Sequence, residues 1–225
     1  MEKILPSEEK KEVNKELRSD VLTRRQQILK SISTISPKVH YQTIMKILEL
    51  SIEIAREGRE GRKIGTLFVI GDERKVLRES RNLIMDPLKG HPKKNKHITN
   101  PNLRETVKEL AQLDGGFLVS SSGYVLSAAR YFNADIKGLE IHQGLGARHV
   151  AAASITKKTH AIAIVVSESS IVRLFSKGRL IAEILPELWL MSRFSSHIRA
   201  PVLTQHPKEN LAIVSEKSVE RKASS

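Results

Sequence analysis

The run "AIAIVV" at 161–166 is uninterrupted by any polar residue and rich in β-branched side chains. It is far short of the roughly 20 apolar residues that a membrane helix requires. Its length and composition are those of a buried strand. "TLFVIGD" at 66–72 has the same character, with an aromatic residue among β-branched ones. A chain that buries such strands must cover them, and the segments between them are suited to do so.

Residues 41–57 form an amphipathic pattern with Ile44, Ile47, Leu48, Ile52 and Ala55 on one face. "DERKVLRES" reads as a short helix, followed by an irregular stretch at 81–97. Asn100 as cap and Pro101 at the first helical position predict a helix running to about Gln112. "GGFLVSSSGYVLSAARYF" predicts two strands joined by a turn at Ser121–Gly123, and "GARHVAAASITKK" a helix. "HAIAIVVSES" and "IVRLFSKGRLIAEI" add three strands, the last two closing on Lys177–Gly178. Hairpins mixed with helices predict the α/β class, with one central mixed sheet flanked by helices.

Upstream, 7–35 reads as a charged helix with a thin apolar stripe (Val13, Leu17, Val21, Ile28, Ile32, Ile35), ended by "SPK" at 36–38. The expected organisation is therefore an N-terminal helical extension over 1–40, the α/β domain over 41–205 and a polar tail over 206–225. No internal repeat is present.

The chain has no cysteine, which removes disulfides, thiolate nucleophiles and thiolate metal sites together. With no apolar leader in "MEKILPSEEKKEV" and no membrane-length run, a cytoplasmic, non-membrane protein is expected. A formal charge of +13 favours polyanionic partners, although much of the excess lies in the termini and in "KGHPKKNKH" at 89–97. Aromatic residues are only 4%, which argues against stacking platforms for single-stranded nucleic acid.

Three clusters sit where a strand or helix meets a loop. In "LDGGF" at 113–117, Asp114 and Gly115 make an ordinary turn dipeptide. Alternatively, Gly115 and Gly116 admit a substrate to the backbone while Asp114 accepts a proton or holds a metal. In "GARHVAA" at 146–152, Arg148 and His149 occupy the first helical turn, where the helix dipole already presents positive potential. A bound anion reverses that penalty, and an exposed surface pair is the alternative. In "VVSESS" at 165–170, Ser167 and Glu168 end an apolar strand. They are either a polar terminus or a hydroxyl for phosphate beside a carboxylate for metal. No P-loop, dinucleotide fingerprint, catalytic triad or zinc spacing emerges.

Taken in order, these clusters resemble the diadenylate cyclase (DisA_N or DAC) domain, whose marks are Asp-Gly-Ala, Arg-His-Arg and a strand ending in Ser-Glu. They stand here as Asp114-Gly115-Gly116, Arg148-His149-Val150 and Ser167-Glu168, and the resemblance covers roughly 62–185. The phrases "GTLFVIGD", "LSAARYF" and "AIAIVVSESS" look closest to the archaeal branch. The resemblance implies a second-messenger synthase, a nucleotidyltransferase that condenses two ATP into cyclic di-AMP with Mn²⁺, or Mg²⁺ as the alternative. It implies Asp114, Arg148 and His149 as catalytic residues and Asp114 and Glu168 as metal ligands. Nucleotide contacts would come from Gly115, Gly116, Phe132 (near the adenine), Ala147, Arg148, His149 and Ser167. Gly116 and Val150 depart from the family's alanine and second arginine.

Phosphoryl transfer is mostly positioning and charge stabilisation, which this equipment suits without a covalent nucleophile. Two other readings compete. One is a nucleotide or cyclic-dinucleotide binding module weakened by Val150; the other, less favoured, is a basic nucleic-acid binder. A ring of two AMP units needs two nucleotides, and one such cluster holds one. A homo-oligomer with two chains face to face at the site is therefore expected, with ATP as substrate and nucleic acid not required.

Overall fold

β1 (Thr66–Ile70) and β5 (Ile162–Val166) are buried at every position and lie side by side in the middle of a seven-stranded sheet. This computed structural model describes residues 39–135, 139 and 145–186, together with the backbone of strands within 201–206 and 211–216. The predicted helix over 7–35 lies outside the described residues.

The remaining elements of the sheet are β2 (Ser80–Asn82), β3 (Gly116–Val119), β4 (Val125–Phe132), β6 (Val172–Ser176) and β7 (Arg179–Ile184). Their spatial order is β2-β4-β3-β1-β5-β6-β7. Only β1 and β3 run parallel; every other neighbouring pair is antiparallel. The sheet is therefore mixed, as the hairpin-rich pattern predicts.

Alternation along the strands divides the core between two faces. Leu67, Val69, Leu118, Ala163 and Val165 pack with Ala152, Ala153 and Ile155 of α4 (Ala147–Lys158). The intervening residues point the other way, and Phe68 stacks on Phe117 there at 5.0 Å between centroids. Such a pair contributes about 1 kcal/mol beyond its buried area. α1 (Tyr41–Glu57) packs against β5 and β6 and buries Ile44, Ile47, Leu48 and Ile54. α2 (Glu73–Arg78) is the short helix after β1. α3 (Pro101–Leu110) starts at Asn100, whose side chain accepts from the Asn102 amide. It is tied to α1 by Arg104–Glu53, Lys108–Glu53 and Lys108–Glu57, and to the turn after α1 by Arg59–Glu109.

Two differences from the sequence reading stand out. The stretch read as irregular from 81 supplies most of β2, an edge strand of three residues with no apolar pattern to announce it. β8 (Pro201–His206) and β9 (Leu211–Glu216) form a second, two-stranded sheet. The boundary expected at 205/206 thus falls inside a hairpin, whose second strand carries the apolar "LAIV" at 211–214. The compact units run 28–187, holding the large sheet, and 1–27 with 188–225, holding the hairpin. No described helix is long and apolar enough to cross a membrane.

Candidate active site

A cleft of about 890 Å³ opens at the N-terminus of α4, and the three sequence clusters meet on it. Asp114, Gly115, Phe132, Ala147, Arg148, His149, Ser167 and Glu168 all line it. Gly116 does not. Its neighbour is β1: a Cβ there would lie 2.4 Å from the Leu67 carbonyl oxygen, so this glycine permits close strand approach rather than nucleotide access. Gly115 has φ of +92°, and an added Cβ would meet the Arg130 carbonyl oxygen at 2.6 Å. Only glycine suits that turn. It leaves Asp114 almost wholly in solvent, 96% exposed.

α4 begins at Gly146 without a side-chain cap and without an acidic residue in its first turn. Its opening residues Gly146, Ala147 and Arg148 border the cleft, so the positive end of the helix faces it. Arg148 reaches across, with Nη1 3.3 Å from Glu168 Oε1 and Nη2 3.9 Å from Asp114 Oδ1. Behind this guanidinium is Gly65, where a Cβ would stand 2.7 Å from Nη1. Ser167 and Glu168 lie in a tight turn closed by the Ser170 amide donating to the Ser167 carbonyl; Ser170 has φ of +62°. Ser167 Oγ lies 2.8 Å from Ser169 Oγ.

His149 is turned inward and only 7% exposed. Arg173 Nη1 donates to its Nε2 at 3.2 Å, which requires the neutral ring. Burial lowers its pKa, and the Arg173 cation lowers it further, while the Gly146 carbonyl and Glu183 oppose them. That carbonyl favours the charged form without closing a hydrogen bond of normal geometry, so Nδ1 stays buried and unpaired. Phe132 belongs to the α4 core and also lines the cleft.

No sequence motif singles out Gly65, Arg130 or Arg173. Arg130 is 8% exposed and lines the cleft. It donates to Ser80 Oγ, Asn82 Oδ1, Ser127 Oγ and the Ser80 carbonyl. A bulge in β4 makes this possible: two residues, Ala128 and Ala129, oppose one on β3, and Ala129 adopts φ of +50°. The extra residue brings Ser127 and Arg130 onto one face. Burial lowers the Arg130 pKa and Asp86 raises it. Its hydrogen-bond partners are all neutral, so its charge contributes to the field of the cleft. A cation within an apolar strand ("SAARYF", "IVRLF") is the signal that marks both arginines, because a buried charge is costly without a purpose.

Asp114 and Glu168 are the carboxylates that line the cleft. Among the described residues no cluster of three His, Asp or Glu side chains could hold a metal ion. Two carboxylates beside an open helix N-terminus suit Mg²⁺ or Mn²⁺, which take one or two protein carboxylates and complete their shell with other oxygen ligands and water.

Fold and site together define a mixed-sheet α/β domain with an anion-receptive cleft at a helix N-terminus. The family model described as DisA bacterial checkpoint controller nucleotide-binding (DAC) matches residues 53–180, and the chain belongs to this family. A diadenylate cyclase of Methanocaldococcus jannaschii is 47% identical over 147 residues, covering 64% of this chain and 46% of that protein. A diadenylate cyclase of Haloferax volcanii is 41% identical over 147 residues, covering 65% and 54%. The chain thus spans about half the length of these curated relatives. Among solved structures it is similar to DacA from Staphylococcus aureus, at 20% identity and a TM-score of 0.47, covering 68% of this chain and 94% of that one. A hypothetical membrane spanning protein from Bacillus cereus matches at 18% identity and a TM-score of 0.48, covering 78% and 98%.

Proposed function

We propose that this chain is a diadenylate cyclase that converts two ATP into cyclic di-AMP and two pyrophosphates. The observation that carries the reading is the meeting of Asp114, Arg148 and Glu168 at the open N-terminus of α4, in a chain belonging to the DAC family. In each half-reaction a ribose 3′-oxygen forms a bond to the α-phosphorus of the other nucleotide. The bond from that phosphorus to the α–β bridging oxygen breaks, and pyrophosphate leaves with its electron pair. The exposed Asp114 carboxylate takes the hydroxyl proton. Arg148 and the free amides of α4 hold phosphate oxygens, and stabilising their developing charge lowers the barrier. A divalent ion, Mn²⁺ or Mg²⁺, supplies further charge neutralisation when held by Asp114 and Glu168 with the phosphates. Neutral His149 orients against Arg173 and keeps the first turn of α4 packed.

Ring closure needs two sites facing one another. This unit has one cleft lined by one Asp114 and one α4 terminus, so two chains related by a two-fold axis complete the reaction. A cytoplasmic setting accords with a cysteine-free chain acting on ATP.

The test is incubation of the protein with ATP and Mn²⁺, followed by mass spectrometry for cyclic di-AMP. Product is expected with wild type and none with Asp114→Asn. Mixed chains should lose more activity than dilution explains. ATP binding without product would favour the binding-module alternative instead.

A further inference from the structure

The floor of the cleft is a row of residues running across the sheet. Val165 pairs with Leu67 on one side and Arg173 on the other, and Arg173 pairs with Glu183. Directly paired residues project to the same face. Leu67 and Val165 belong to the core under α4, so Arg173 also projects to the α4 side, where it lines the cleft.

Arg173 is held on two sides. Its Nε donates to Glu183 Oε1 across the β6–β7 pair, and its Nη1 contacts His149 Nε2 at 3.2 Å. Its side chain is 12% exposed, and among the described residues Nη2 makes no hydrogen bond. A guanidinium has five donors in a planar fork, and these two contacts leave several of them unused. The remaining donors border a cleft whose helix terminus already favours anions. Structural need does not explain a cation here, since β6 is otherwise apolar at Val172, Leu174 and Phe175. Glu183 is about half exposed and compensates the charge only at the outer edge.

We propose that Arg173 is an anion-binding residue of this cleft, taking phosphate oxygens of the bound nucleotide, and that Glu183 is its positioning residue. The assignment rests on the nucleotide reading of the same site. It supplies a cation beside His149, where the adjoining position 150 carries valine. Arg173 thus works with Arg148 in one cleft: one arginine comes from the helix, the other from the sheet.

Titration calorimetry of the full chain with ATP and with adenosine separates the possibilities. Arg173→Ala should weaken ATP by about 10- to 100-fold, the scale of a charge-assisted hydrogen bond, and leave adenosine unchanged. Glu183→Ala, which removes the acceptor that holds Nε, should weaken ATP less, again sparing adenosine. Arg173→Lys preserves the apolar stem and the charge should the alanine variant fold poorly. It should still lose affinity for ATP, because an ammonium cannot reproduce the fork. Equal ATP affinity in wild type and the Arg173 variants overturns the proposal and leaves the nucleotide reading standing. A loss shared equally by ATP and adenosine makes Arg173 scaffold and also overturns it. No ATP binding by wild type overturns the nucleotide reading and the proposal with it.

Discussion

Gly65→Ala is the substitution that best separates the cleft from its scaffold. Gly65 is buried just before β1, at a φ outside the left-handed region, so alanine suits its backbone. The obstruction is Arg148: the new Cβ would lie 2.7 Å from Nη1, and 3.2 and 3.3 Å from Glu168 Cγ and Oε1. Ordinary contact begins near 3.4 Å, so the guanidinium must retreat by roughly 0.7 Å. It can do so by rotating a flexible side chain, without moving the sheet. The ion pairs it leaves are exposed and worth at most about 1 kcal/mol, and reduced unfolded-state freedom of alanine returns about 0.4–1 kcal/mol. Stability should therefore change little.

Catalysis should not be spared. Productive sites tolerate roughly 0.5 Å of misplacement, and about 1 Å costs on the order of 10²-fold. Turnover of ATP to cyclic di-AMP, followed by chromatography and mass spectrometry, should fall by ~10- to 100-fold. The melting temperature should stay within a few degrees of wild type. Wild-type turnover would show that Arg148 need not hold its place. A fall in melting temperature of ten degrees or more would show that the backbone, not the guanidinium, gave way.

Asp114→Asn should remove product while leaving the melting temperature unchanged, because this side chain is almost wholly solvent-exposed; a thermal scan beside the product assay checks both. Arg148→Ala should lower turnover by about 10²-fold, the usual loss for one charge stabiliser, and a loss below tenfold would contradict its role. Gly115→Ala meets both a positive φ and the Arg130 backbone, so it should destabilise by about 2 kcal/mol or more in denaturant titration. His149 has its pKa lowered by burial and by Arg173, so the folded protein resists a proton that the unfolded chain accepts below about pH 6.5. Its stability should be complete at higher pH and decline as pH falls from about 6.5 towards the folded value. His149→Gln should flatten that decline in denaturant titrations, and parallel slopes would count against it.

What the sequence made legible is local. The strands of "TLFVI" and "AIAIVV" announce themselves by apolar runs, and α4 by glycine before an alanine-rich segment. Asp114, Arg148 and Glu168 are found because each stands beside a boundary between elements, where function concentrates. Gly116 reads as part of the opening because it follows Gly115, yet its closeness to Leu67 is a property of strand packing. Gly65 is silent in the sequence for the same reason: nothing in "RKIGT" indicates an arginine arriving from residue 148. Arg130 and Arg173 depend on register and on the bulge at Ala129, which sequence distance does not encode.

These two kinds of information divide the chemistry of the cleft. The motif residues hold an arginine between two carboxylates, at 3.3 and 3.9 Å, and both carboxylates are strongly exposed. Contacts of that length in water are weak, so on the proposed reading an arriving phosphate displaces them at a cost of about 1 kcal/mol or less. Arg148 can therefore change partners. Arg130 and Arg173 are mostly buried and tied to neighbouring strands, and they cannot do so as cheaply. An adaptable cation on the helix then acts against two held ones on the sheet. If the cleft takes a nucleotide as proposed, its field is in place beforehand, while Arg148 can still exchange its two carboxylates for phosphate. A tight buried pair at Arg148 would remove that exchange, and the long, exposed geometry is what the proposed function requires.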